Sequence, residues 1–145
     1  MRTASRYLWI AACAAALLAS CGPAEGGGDD GVVSNVPKTG QSTPYAAGDD
    51  GDLEAGVAWP APRFSVSGSC VTDSLTGLMW VQSPDATTRT WSAALAHAND
   101  LILGGYDDWR LPNINELESL VDAAAADTTT WLNGQGFTGI QSRYW

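Results

Sequence analysis

The tightest constraint on this sequence is where its large side chains fall. Its 145 residues include 7 Trp, and these lie mostly after position 59, so the apolar material for a core sits in the second half. Burial of Trp contributes heavily to any small core. A length of this order allows one modest domain with appendages and excludes two independent domains. The first half has little to bury.

Charge narrows the partners. With 7 Lys and Arg against 16 Asp and Glu, a formal charge of -9, the chain lacks the positive field that phosphate backbones or anionic head groups require. No nucleic-acid partner is expected.

The N-terminus reads as a processing signal. Arg2 and Arg6 make a positive start, residues 7–19 are almost wholly apolar, and Leu18-Ala19-Ser20-Cys21 closes the run. A membrane span needs about 20 apolar residues, and this stretch is shorter and ends in small residues suited to a peptidase. Its last four residues resemble the bacterial lipobox, in which a Cys thiol receives a diacylglyceryl group before cleavage makes it the new N-terminus. The resemblance implies a lipoprotein signal peptide at 1–20, lipidation at Cys21 and attachment to a membrane of the cell envelope through that lipid. Gly22 stands where an Asp would favour inner-membrane retention, so the outer membrane is favoured if the cell is Gram-negative. The competing reading is an ordinary signal peptide with a coincidental Cys21. One acyl chain binds a bilayer marginally, whereas two or three hold firmly at about 0.8 kcal/mol per buried CH₂.

Residues 21–58 are rich in Gly, Asp, Ser, Thr and Pro, with Gly26-Gly27-Gly28-Asp29-Asp30-Gly31 and Asp49-Asp50-Gly51-Asp52 and no apolar periodicity. Such composition predicts a disordered acidic tether that lifts the domain off the lipid surface. Calcium binding by these Asp residues is the alternative, but their spacing fits neither the EF-hand loop nor the glycine-rich nonapeptide. Loss of the leader leaves 5 basic against 16 acidic residues, a mature charge of -11.

Residues 59–145 carry the folded part. Phe64-Ser65-Val66-Ser67-Gly68 alternates and then turns, and Cys70-Val71-Thr72-Asp73 and Leu78-Met79-Trp80-Val81 flank a turn at Ser74-Leu75-Thr76-Gly77, which predicts short hairpin strands. Thr90 suits the cap of a helix in which Trp91, Leu95, Ala98 and Ile102 recur on one face, with Gly104-Gly105 as its left-handed stop. Pro112 keeps Leu111 extended. Asn113 and Glu116 have capping-box spacing, and Ile114, Leu117, Leu120 and Val121 form an apolar face with Glu118 and Asp122 outward. These patterns alone predict an α+β domain.

Thr76-Gly77-Leu78-Met79-Trp80, then Trp91 with Ala94 and Leu95, then Gly105-Tyr106-Asp107-Asp108-Trp109-Arg110-Leu111-Pro112-Asn113 with Glu116-Leu117 and Leu120-Val121-Asp122 together resemble the Lcl C-terminal domain family, named for the Legionella collagen-like adhesin. The likeness covers about residues 64–145 and carries Gly77, Trp80, Trp91, Leu111, Pro112, Asn113 and Glu116 as motif positions. It implies a secreted or surface domain. Through its Arg-Leu-Pro helix start it also looks like the C-type-lectin-like and formylglycine-generating folds, which implies a small C-type-lectin-like domain, two helices packed on a short antiparallel sheet. Family members continue past a pair like Tyr144-Trp145, so the resemblance implies a domain incomplete at its C-terminus, with an unpaired sheet edge that a partner chain could cover. An oligomer is one consequence. Cys13 leaves with the leader and Cys21 is lipidated, so Cys70 is left with a mate beyond Trp145, a mate in another chain, or the fate of a small buried thiol.

Candidate chemistry is sparse. His97 is the single histidine and is read as a surface or interface residue rather than a catalytic one. Asp107, Asp108, Asn113, Asn115 and Glu116 gather oxygens that calcium would use. Against that, Asp108 can pair with Arg110 while Asn113 and Glu116 cap the helix. No other cofactor is implied. Trp80, Trp91 and Trp109 could stack on sugars, but their periodicity places them inward. Trp109, Arg110, Asp107 and Asp108 are the candidate ligand-binding set. Three functions compete: a non-catalytic binding or adhesion module, a truncated remnant with only a structural role, and an oxidase relative of the formylglycine-generating kind, which lacks the paired cysteines of that chemistry. The namesake's affinity for sulfated glycosaminoglycans would need a basic patch that this chain lacks, so a neutral glycan or a protein is the expected ligand.

Overall fold

In the computed structural model, residues 36–141 and the backbone of Ala11 and Ala12 are described. Residues 1–10, 13–35 and 142–145, with them Cys21 and the Tyr144-Trp145 pair, lie outside the described residues. The architecture is α+β. In chain order the elements are β1 (Ala11–Ala12), α1 (Asp50–Leu53), β2 (Phe64–Ser67), β3 (Cys70–Asp73), β4 (Met79–Val81), α2 (Trp91–Asn99), β5 (Trp109–Arg110), α3 (Ile114–Glu118) and α4 (Thr128–Gly134).

The continuous part of the sheet is the antiparallel meander β2-β3-β4, in which Val66 pairs with Val71, Val71 with Trp80 and Cys70 with Val81. The two-residue strands β1 and β5 extend it into the order β2-β3-β4-β1-β5. Both predicted turns are present, at residues 68–69 and 74–77, and Gly77 holds the φ of +73° that its turn requires.

Period-2 alternation divides the core between the two faces of the sheet. Val71 and Trp80 pack with Phe64, Leu120, Leu132, Phe137 and Ile140 on one face. Cys70 and Val81 pack with Ala94, Ala98 and Trp109 on the other. Phe64 is the aromatic hub of the first face, 5.4 Å from the Phe137 ring and 5.8 Å from Trp131, both edge-on, a geometry that ring quadrupoles favour.

Several expected details differ. α2 starts at its Thr90 cap, whose hydroxyl accepts from the Ala93 amide, but it ends at Asn99, and of the expected stripe only Ala98 is buried, joined by Ala94. Trp91 is 48 % and Ile102 76 % exposed. Small residues let the helix approach the sheet closely, and bulkier ones are left at its margin. Gly104 and Gly105 do not stop the helix. With φ of +66° and +87° they form the tight turn between Leu103 and Tyr106, which exchange backbone bonds of 3.0 and 3.1 Å, as a two-residue type I′ loop requires.

α3 has its capping box, with the Asn113 side chain accepting from the Glu116 amide and the Glu116 carboxylate from the Asn113 amide. It closes after five residues. Leu120 and Val121 donate three residues back, to Leu117 and Glu118, and the Ala123 amide leaves the helix for the Thr39 carbonyl. The shortening leaves Ile114 and Val121 exposed, so only Leu117 and Leu120 of the expected face pack inward. α4 was not predicted; Asp127 caps it by accepting from Thr130, and Leu132 is its buried anchor.

Residues 36–58, in the stretch read as tether, are arranged by polar contacts. Lys38 donates to Val57 and Val57 to Val36, each at 2.9 Å. Asp49 accepts from the amides of Tyr45, Ala46 and Asp52, contacts that hold its carboxyl below the usual range. Bonds attach this lobe to the domain where the Trp59 indole donates to the Lys38 carbonyl at 2.7 Å and Ala123 donates to the Thr39 carbonyl at 2.9 Å.

Candidate functional site

Three places gather polar chemistry. The first is buried. Arg63 and Asp73 form a two-pronged pair, Nε to Oδ1 at 3.0 Å and Nη2 to Oδ2 at 2.9 Å, with side chains 4 % and 0 % exposed. Asp73 also accepts from the Leu75 amide and the Thr76 hydroxyl, both at 3.0 Å. Arg63 donates onward to the Ser119 carbonyl at 2.5 Å, and its guanidinium lies 4.4 Å from the Trp59 ring centroid and 4.7 Å from Phe64. This constellation ties the β3-β4 turn to the end of α3 and positions Trp59. The sequence reading missed it. The one signal for it was Asp73 with Thr76 three residues on, the spacing of a side-chain-closed turn.

Beside Trp59 opens the second place, a cleft of about 360 Å³ between the lobe and the domain. Trp59, Leu75 and Val121 make its apolar walls, and Lys38, Thr39 and Glu118 bring polar atoms to it. Lys38 is bonded to Glu54 at 3.0 Å. The wall charges are therefore of both signs.

The third is a smaller cleft of about 210 Å³ lined by Val81, Ser83, Asp85, His97, Leu101 and Leu103. The His97 Nε2 stands 3.8 Å from the Asp85 carboxylate and is about one-third exposed. Asp85 bonds Arg89 at 2.5 Å and the Thr87 amide at 2.8 Å. Its carboxyl is lowered to about 2, chiefly by the Thr87 hydroxyl and then by the Thr87 amide and Arg89, against the opposing effect of burial.

The candidate ligand-binding set is not gathered into one site. Trp109 is 2 % exposed, packed beneath α2, with its indole donating to the Leu103 carbonyl at 3.2 Å. Asp107 and Asp108 are exposed on the loop before it. Arg110 pairs with Glu116 rather than Asp108, through bonds of 2.9 and 2.5 Å. That pair and the Asn113 amide hold the Glu116 carboxyl below its usual range against partial burial. The reason is reach: α3 begins directly after Pro112 and returns Glu116 over the Arg110 fork, while Asp108 stays in the loop. The Glu116 and Asn113 oxygens are thereby engaged in capping and pairing. Among the described residues, no group of three or more His, Cys, Asp or Glu side chains could hold a metal ion.

The motif positions divide by burial. Trp80 and Pro112 are buried, Leu111 and Glu116 partly so, and Gly77, Trp91 and Asn113 exposed. Cys70 is a free buried thiol, 3 % exposed, and burial raises its pKa. Among the described residues, no helix is long and apolar enough to cross a membrane.

The family model described as Lcl C-terminal domain matches residues 69–145, just over half the chain. No curated relative and no solved structure matches.

Proposed function

The chain belongs to the Lcl C-terminal domain family, an adhesin-type family, and from that premise we propose that it is a lipid-anchored envelope protein presenting a non-catalytic binding module for a neutral glycan or a protein surface of similar polarity. The observation that carries the reading is the cleft beside Trp59, whose apolar walls and mixed-sign polar groups offer stacking area without a net field. A sulfated polymer fits poorly, because the mature charge of -11 repels it. Clefts of this size hold a few sugar rings or one side-chain cluster. Leader cleavage and acylation at Cys21 would supply the attachment, with the outer membrane as the destination in a Gram-negative cell.

The test pairs two readouts. Fatty-acid labelling should mark the wild-type chain and not Cys21→Ser; equal labelling removes the anchor. On an array of neutral and sulfated glycans, the soluble Cys21→Ser chain should retain neutral ligands in a salt-insensitive way. Val121→Asp, on an exposed wall of the cleft, should lose at least tenfold in affinity. Retention of sulfated ligands alone, or equal binding by Val121→Asp, would sink this reading of the cleft.

A further inference from the structure

The order β2-β3-β4-β1-β5 inserts two leader residues between two strands of the domain. Ala11 is in register with Trp80 on one side and Arg110 on the other; Ala12 is in register with Met79 and Trp109, antiparallel to both neighbours. Backbone groups of a strand alternate sides. The Leu78 carbonyl and the Gln82 amide are both turned to β3, bonded to Asp73 and Ser69. Met79 and Val81 therefore direct their N–H and C=O groups the other way, into the gap that β1 fills. On the far side, β5 has no other strand partner among the described residues.

Trp80 and Trp109, 0 % and 2 % exposed, flank its two registers, and the residues that enter are Ala11 and Ala12. Unpaired strand edges of this kind are templates for an added strand.

We propose that the gap between β4 and β5 is a strand-accepting slot for an extended small-residue segment, occupied before processing by the chain's own residues 11–12, and that removal of residues 1–20 opens it. The opening step rests on the leader reading; the slot does not. The leader thus has a second use, completing the sheet of the unprocessed chain.

Amide hydrogen exchange on the full chain tests this, using Cys21→Ser to block acylation and keep the leader attached. In that chain the Met79 and Val81 amides should exchange at least tenfold more slowly than in the same chain carrying Ala11→Pro and Ala12→Pro, since proline removes the donor and cannot continue a ladder. Asp73 and Gln82, bonded across β3-β4, are the internal references and should not change. Equal exchange of Met79 and Val81 in the two chains overturns the slot. The chain lacking residues 1–20 should match the double-proline rate, and protection there overturns the opening step. Mass spectrometry of the cellular protein separates the two readings: a cleaved chain with no leader-dependent protection keeps the leader reading and removes the slot, while an uncleaved chain with protection does the reverse.

Discussion

At the residue scale the structure depends most on Arg63 and Asp73. A charge taken out of water costs several kcal/mol unless it is paired and bonded, so removing one partner is far worse than never having had the pair. Arg63→Ala would strand the fully buried Asp73 carboxylate and empty the space between Trp59 and Phe64. It should destabilise the domain by about 3–5 kcal/mol, read as a lower urea midpoint by Trp fluorescence; a loss under about 1 kcal/mol would mean water reaches the pair. Asp85 makes the pH prediction. Its folded pKa of about 2 lies below the unfolded value of about 4, so its contribution is present above pH 4 and is lost as pH falls from about 4 to 2. Glu116 acts in the same direction below its own usual range. Asp85→Asn should flatten the acid limb of unfolding free energy against pH over that window. Parallel curves for the two proteins would show that the Thr87 and Arg89 contacts do not hold the carboxylate in solution.

At the element scale, the sharpest contrast is between two adjacent glycines. Both occupy the left-handed region, where a side chain costs about 1–2 kcal/mol, but a Cβ on Gly105 meets nothing within 4 Å, whereas one on Gly104 comes 2.5 Å from the Cys70 sulfur. Gly105→Ala should therefore cost about 1 kcal/mol, and Gly104→Ala about 1–3 kcal/mol more, since Cys70 is buried in the cluster of Val81, Ala94, Ala98 and Trp109 and overpacking forces the backbone to shift. Cys70→Ala placed in the Gly104→Ala chain should recover part of that excess by thermal unfolding. If the two glycine variants melt alike, the turn does not rest on Cys70. α3 is marginal by length, so its capping box matters: Asn113→Ala should lower stability by about 1 kcal/mol and loosen the Glu116 carboxylate that holds Arg110.

At the scale of the whole molecule, what could be read from the sequence was what has a local cause. The β3-β4 turn, the Thr90 cap and the Asn113-Glu116 box depend on residues within four positions of each other, and they formed where their spacing placed them. Helix ends and burial faces depend on neighbours far along the chain, and there periodicity erred: Val121 is outside because Ala123 is drawn to Thr39, and Trp91 because Ala94 and Ala98 sit tighter against the sheet. The cleft beside Trp59 was illegible for the same reason, since four of its ten lining residues come from the lobe before the domain. That lobe has almost no apolar pattern, and its order rests on backbone bonds to Asp49, Val57, Trp59 and Ala123, which composition does not display. The consequence is measurable by proteolysis. A solvated tether would be cut by trypsin after Lys38 at the rate of a free peptide, whereas a lobe clamped through the Lys38 and Thr39 carbonyls should be cut only as fast as it opens. Trp59→Phe removes the indole donor while keeping a ring under Arg63, so it should speed cleavage after Lys38 severalfold and leave the folded remainder resistant. Rapid cutting of the wild-type chain at Lys38 would detach the lobe, and the cleft it completes, from the domain.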